Sequence, residues 1–327
     1  MDPPKILVTF KTKPGDRELI KSELSDLAQI FFIDQLKGKI LQDILAKIDV
    51  IFTGSGLDLT RDILELAINL RMIQTLSAGV DYLPFKLIPH RVIICSNAGG
   101  NAIAVAEHVF ALILSAIKRI IYHHENMKKG LWKRRDYGYL LYGKTLGIIG
   151  LGHVGREVAK IAKCFGMRVY GINRSGRTDV DVDFIGKVDD LDFVLRESDI
   201  ILLSLPLTKY TRNLINREKL RIMKNNAILV NISRGGVVDQ EALYYHLRDN
   251  PSFIACLDVW WEYPQGGETR CYQRFPFHEL GNVIMTPHIA GFSREIRQFV
   301  IKHAVSNIKR FLTGQKPINI VDPRDYV

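Results

Sequence analysis

The chain has few of the groups that cross-link a protein or bind metal. Its 327 residues include only four cysteines, Cys95, Cys164, Cys256 and Cys271, with neither C-x-x-C pairing nor metal-ligand spacing. That argues against a disulfide framework or a cysteine-bound zinc, and nothing demands an oxidising compartment. Cys95, Cys164 and Cys256 lie in apolar segments and are expected to be small buried hydrophobes. No two histidines form an H-E-x-x-H set, so no catalytic metal is expected. Long apolar runs are missing too. The greasiest helical stretch, 109–121, is interrupted by Lys118 and Arg119 and is too short for a bilayer. The opening MDPPKILVTF has an acid and prolines where a signal peptide has basic residues, and a cytoplasmic protein with no membrane partner is expected. Asn231-Ile-Ser233 matches a glycosylation acceptor but stands at the end of a buried-looking strand, and is read as accidental. The formal net charge is +10, yet basic residues are scattered apart from Lys128, Lys129, Lys133, Arg134 and Arg135. With no aromatic-interleaved basic stripe, nucleic acid is not expected as a partner. A general basic field suits an anionic cofactor and an anionic substrate instead.

What is present is an ordinary globular profile, 47% hydrophobic and 24% charged, in a chain long enough for two domains. The first hundred residues alternate apolar strands (5–10, 30–34, 50–53, 72–76 and 92–95) with helical stretches at 17–27, 36–46 and 59–68. Continuous apolar strands between helices predict a parallel sheet covered on both faces. No glycine-rich phosphate loop follows the first of them, since 10–15 reads as a turn. A long helix starts near Ala102 and is expected to carry His123 and His124 late in its length. A second set of six strands is predicted, starting at Thr145, with later members at 167–172, 199–205, 227–232, 252–257 and 283–286. Helices 217–221 and 240–247 lie between them, and Asp239 is placed to cap the second. A final helix, 293–312, repeats Ile296, Val300, Ala304, Ile308 and Leu312 at a spacing of four.

Chemistry concentrates after the strands of the second set. The run from Thr145 to Arg174 leads an apolar strand into Gly150, Gly152 and Gly155, then a helix, then a second strand. Gly150 would permit the tight turn, Gly152 the approach of a pyrophosphate and Gly155 close helix–strand packing. Set between two strands and a helix, this pattern predicts dinucleotide binding. At the end of the second strand, Asn173 stands where an acid would grip a ribose 2′-hydroxyl, and Arg174 and Arg177 follow it. The missing acid and the two arginines favour NADP over NAD. Arg234 follows another strand, where a guanidinium could hold a carboxylate or stabilise charge on a carbonyl oxygen. His288, in Thr286-Pro-His-Ile-Ala-Gly291, leaves the sheet as a candidate acid–base group or as a structural histidine.

Ser77-Ala-Gly-Val-Asp81, the run from Gly100 to His108, Gly147 to Gly155, Pro206-Leu-Thr, Ser233-Arg-Gly and Pro287-His-Ile-Ala-Gly291 together resemble the D-isomer-specific 2-hydroxyacid dehydrogenases. The resemblance covers nearly the whole chain, with glyoxylate and hydroxypyruvate reductases among the family's members. It implies an α/β architecture of two doubly wound parallel-sheet domains with a cleft between them. A Rossmann-type coenzyme domain, 101–290 with the crossing helix, would be inserted in a flavodoxin-like catalytic domain, 1–100 plus 291–327. It also implies a homodimer, with Arg234 on the substrate carboxylate, His288 as proton donor, and amides around Ala78 and Gly79 on the same carboxylate. The dinucleotide would lie against Gly150, Gly152, His153, Val154, Gly155, Asn173, Arg174, Ser175 and Arg177. Beyond these it would meet Leu205, Pro206, Thr211, Ile232, Ser233, Asp258, His288 and Gly291, with Asp258 near the nicotinamide carboxamide.

Two departures stand out. The family's glutamate that pairs with the histidine is replaced in register by Tyr263, while Glu262 lies one residue earlier. Either the loop shifts so that Glu262 reaches His288, or Tyr263 or water takes its place. Ser204 stands where relatives often carry histidine and is read as peripheral to the chemistry. The expected activity is reversible reduction of a small 2-oxoacid, glyoxylate or hydroxypyruvate first, to the D-2-hydroxyacid with NADPH or NADH. Alternatives are a dehydrogenase for another small carboxylate or phosphonate, and a non-catalytic nucleotide-sensing protein or corepressor.

Overall fold

A computed structural model describes residues 2–54, 56, 58–264, 268–269 and 273–327, so Cys271 lies outside the described residues. The chain divides into two compact units, Met1–Asn101 with Ser293–Val327, and Ala102–Phe292.

In the first unit, strands and helices alternate as β1 (Lys5–Val8), α1 (Asp16–Leu24), β2 (Gln29–Phe32), α2 (Gly38–Leu45), β3 (Val50–Thr53), α3 (Arg61–Leu66), β4 (Met72–Thr75) and β5 (Ile93–Cys95). The sheet runs β2-β1-β3-β4-β5 and every pair is parallel. Successive strand side chains point to opposite faces. Ile6, Val8, Val50 and Phe52 therefore join one core and Leu7, Ile51 and Ile73 the other, the latter against Leu45 and Leu64 of α2 and α3. Both faces are covered, so the strands read as unbroken apolar runs rather than alternating ones.

The second unit opens with α4 (Ala102–Ile117) and α5 (Ile120–Lys128). They are separate helices because Arg119 takes a left-handed turn at φ 57 between them. His123 and His124 thus belong to α5, not to the end of one long crossing helix. There follow β6 (Thr145–Ile149), α6 (His153–Cys164), β7 (Arg168–Ile172), β8 (Phe184–Gly186), α7 (Leu191–Glu197) and β9 (Ile200–Leu203). The unit is completed by α8 (Arg217–Ile222), β10 (Ile228–Asn231), α9 (Gln240–Asp249), β11 (Ile254–Leu257) and β12 (Val283–Met285). The parallel sheet is seven-stranded, β12-β11-β10-β9-β6-β7-β8, one strand more than expected. The addition is β8, a three-residue edge strand in a polar stretch. Ile148, Leu202 and Val230 pack with α4 and α6, and Ile149, Leu203 and Leu229 with α7, α8 and α9. Each such fully buried aliphatic side chain is worth about 1.5–3 kcal/mol relative to exposure.

The chain returns to the first unit as α10 (Ile296–Leu312), whose buried face is Ile301, Ala304, Val305 and Ile308. The expected spacing-of-four stripe is corrected to a mixed three-and-four stripe, as 3.6 residues per turn require. Cys95 and Cys256 are buried, which pushes their thiols up to about 11 and about 12. Cys164, expected to be buried, is exposed on the last turn of α6. Among the described residues no helix is long and apolar enough to cross a membrane, and no group of three or more His, Cys, Asp or Glu could hold a metal ion.

Candidate functional site

The parallel registers Ile149↔Leu203, Asn231↔Leu203, Asn231↔Leu257 and Leu257↔Met285 align the carboxyl ends of β6, β9, β10, β11 and β12 along one edge. The candidate groups of the second unit follow those ends.

The glycine turn after β6 has a separate physical reason at each position. Gly150 has φ 104, and a Cβ there would stand 2.5 Å from the Ser204 carbonyl oxygen and 3.0 Å from Leu205 Cβ. At Gly155 a Cβ would stand 2.8 Å from the Gly150 oxygen and 2.9 Å from Ile148 Cγ2. At Gly152, the residue before α6, a Cβ would meet nothing within 4 Å. That open space lies at the amide end of a twelve-residue helix that begins with His153 and Val154. It fits a pyrophosphate, because backbone N–H groups and the helix dipole both favour an anion there. The Ser204 hydroxyl donates to the Gly150 carbonyl at 2.8 Å. Ser204 thereby braces the turn.

The loop after β7 is closed by one side chain. Asn173 Oδ1 accepts from the amides of Ser175 (3.1 Å) and Gly176 (2.8 Å), and its Nδ2 donates to the Arg177 carbonyl at 2.8 Å. The amide of Asn173 thus shapes the loop, while Arg174, Ser175 and Arg177 are exposed on it. Thr211 acts similarly after β9. Its hydroxyl donates to the Pro206 carbonyl at 2.6 Å and accepts from the Thr208 amide at 2.8 Å.

Asn231, fully buried at the end of β10, organises the next loop. Its Oδ1 accepts from the Ser233 amide (3.1 Å) and hydroxyl (2.8 Å), and its Nδ2 donates to the Arg234 carbonyl at 3.0 Å. Ile232 and Ser233 are thereby wound around Asn231, and Arg234 emerges half-buried with Nη1 donating to the Ser233 carbonyl at 2.9 Å. Gly235 must lack a side chain, because a Cβ would overlap the Trp260 carbonyl. The residues alone carry one sign of this role for Asn231: an Asn at a strand end with Ser two residues on, an Asx-turn pattern. Asp239 caps α9 by accepting from the Ala242 amide at 2.9 Å.

After β12, His288 is half-buried and holds the left-handed φ of 57. The Asp258 carboxylate, fully buried, accepts from the Thr286 hydroxyl at 2.6 Å and from the amides of Ile289 (2.9 Å) and Ala290 (3.0 Å). Its oxygens thus grip the loop that carries His288 and leads into Gly291. His108 Nε2 stands 3.1 Å from Thr286 Oγ1 and 3.6 Å from Asp258 Oδ1. The Tyr263 ring lies 5.4 Å from that of His288, and the Tyr263 hydroxyl accepts from the Trp260 amide at 3.2 Å. Glu262 Oε2 accepts from the Arg274 amide at 3.1 Å. Arg234 and His288 each lie three residues beyond register-linked positions, Asn231 and Met285, on strands separated by one neighbour. At the usual strand spacing those two ends are roughly 10 Å apart.

In the first unit, the loop after β4 is tied by the Ser77 hydroxyl, which donates to the Gly79 carbonyl at 2.7 Å beside Ala78.

Residues 110–290 match the family described as D-isomer specific 2-hydroxyacid dehydrogenase, NAD binding domain. The chain is 36% identical to a D-3-phosphoglycerate dehydrogenase of Methanocaldococcus jannaschii, over 97% of this chain, and spans 59% of that protein's length. It is 33% identical to a glyoxylate reductase of Pyrococcus furiosus over 84% of this chain and 82% of that one. Among solved structures, it is similar to an acyclic imino acid reductase in complex with NADPH and D-Arg, with TM-score 0.78 and 27% identity, covering 97% of this chain and 100% of that one.

Proposed function

Since the chain belongs to the D-isomer-specific 2-hydroxyacid dehydrogenases, a family of NAD(P)-dependent enzymes, we propose that it reversibly reduces glyoxylate or hydroxypyruvate to the D-2-hydroxyacid. The observation that carries this reading is the placement of Arg234 and His288 at matched positions beyond β10 and β12, on the sheet edge that also holds the glycine turn. Arg234 holds the substrate carboxylate through paired hydrogen bonds and polarises the adjacent carbonyl. His288 gives its ring proton to the carbonyl oxygen, and takes it back in the reverse direction. A bound nicotinamide dinucleotide supplies or accepts the hydride. The turn at Gly150, Gly152 and Gly155 would hold its pyrophosphate, with Leu205 against the turn. The relatives named glyoxylate reductase support the choice of substrate. The strand order β2-β1-β3-β4-β5 supports a flavodoxin-like first unit. Oxidation of NADPH and NADH, followed by absorbance against a panel of short 2-oxoacids, tests the activity. No turnover with any pair ends the reading.

NADPH is the proposed preference, supported by exposed Arg174 and Arg177 on a loop without a carboxylate between 173 and 177. Changing both arginines to alanine is expected to cut kcat/KM for NADPH by about ten- to hundredfold, the worth of one charge-assisted hydrogen bond. NADH use should change by less than about threefold, since a neutral ribose hydroxyl gains little from cations. An equal loss with both dinucleotides refutes the assignment.

A homodimer through the second unit is also proposed. Trp132, Tyr137 and Tyr142 are each at least 75% exposed there, and Leu140 is 70% exposed. Large apolar side chains this exposed, gathered within residues 132–142, are a common mark of an interaction surface. Light scattering that returns the 37.2 kDa of one chain would dismiss it.

A further inference from the structure

We propose that His108 is a positioning residue that holds His288 in place through Thr286 and Asp258. This rests on the reading of His288 as the proton donor. His288 needs holding, because its left-handed backbone at φ 57 is disfavoured for any residue other than glycine. The restraint comes from the residues around it. Asp258 takes the Thr286 hydroxyl two residues before His288, and the Ile289 and Ala290 amides directly after it. A fully buried carboxylate with fewer donors would be strongly disfavoured, so the three bonds stabilise one another.

His108 completes the chain from α4, 178 residues away in sequence. The Thr286 hydroxyl gives its hydrogen to Asp258, so its oxygen must accept from His108 Nε2. That polarity assigns the proton to Nε2. Loss of this donor frees the Thr286 hydroxyl to rotate off Asp258, and the two amides lose their fixed acceptor geometry. His288 then spreads over other backbone angles. Its imidazole then stands less often at the angle needed for proton transfer. Trp260 reinforces the same loop by donating Nε1–H to the Thr286 carbonyl at 3.0 Å.

The full-length protein tests this with two readouts, kcat and KM for 2-oxoacid reduction, and hydrogen exchange of the Ile289 and Ala290 amides. His108→Leu should lower kcat roughly ten- to hundredfold, as small misplacements of a reacting group do, with KM within about twofold. Exchange at both amides should quicken by at least about tenfold. His108→Gln, which can still present an N–H to Thr286, should recover most of both. Thr286→Val, close in shape but without the hydroxyl, should reproduce the leucine variant and serves if that one does not fold. Unchanged kcat, unchanged exchange, or no recovery by glutamine each overturns the proposal. If the unaltered protein reduces no 2-oxoacid, the functional reading fails separately, and exchange alone decides whether His108 holds the loop.

Discussion

Arg234→Gln is expected to lower kcat/KM for the 2-oxoacid by about 10²–10³-fold, the usual loss when one preorganised donor to developing charge is removed. Both constants should move. KM rises because the carboxylate loses its cationic partner in the ground state, and kcat falls because the carbonyl is no longer polarised in the transition state. Glutamine offers one amide edge without charge, whereas guanidinium offers a planar fork of donors. Arg234→Lys separates the two effects: it keeps the charge, loses the fork, and should fall between. Arg234 is half-buried, and its Nη1 bond to the Ser233 carbonyl is local. Asn231 independently fixes the loop through Ser233 and the Arg234 carbonyl. Activity within about threefold of the parent in both variants would remove Arg234 from the mechanism.

That division between a loop's scaffold and its reactive side chain also explains what could be read from the residues alone. The glycine turn was legible because backbone geometry restricts side chains there, and its three steric reasons appear as clashes at Gly150 and Gly155 and open space at Gly152. The strands of both sheets were legible because covered faces demand unbroken apolar runs. The β8 strand escaped because an edge strand of three residues has only one neighbour and little apolar content. The break between α4 and α5 escaped because left-handed Arg119 carries no glycine to announce it. The roles of Asn231, Ser204 and Thr211 depend on which carbonyl or amide folds back toward them, a matter of loop geometry rather than spacing. His108 and Asp258 are harder still. They meet Thr286 across 178 and 28 residues of chain, and no local pattern records such a meeting.

His288→Asn is expected to reduce kcat by about 10²–10⁴-fold with a much smaller change in KM, as removal of a general acid does. Asparagine is the apt replacement because it tolerates the left-handed backbone held at φ 57, so the loop survives while the titratable proton is lost. A charged neighbour would shift the pH range of such an imidazole. The Tyr263 ring lies beside it, where the family pattern puts a glutamate. A neutral phenol supplies no negative charge at neutral pH, whereas a carboxylate stabilises the protonated imidazole. Tyr263→Glu should therefore extend 2-oxoacid reduction to higher pH, because the proton donor stays charged further up the scale. The same change should shift the rising limb of D-hydroxyacid oxidation to higher pH, since that direction needs the neutral ring. Superimposable pH profiles for the parent and Tyr263→Glu proteins would show that this neighbour does not tune the histidine. A His288→Asn protein with parental kcat would assign proton transfer to another group.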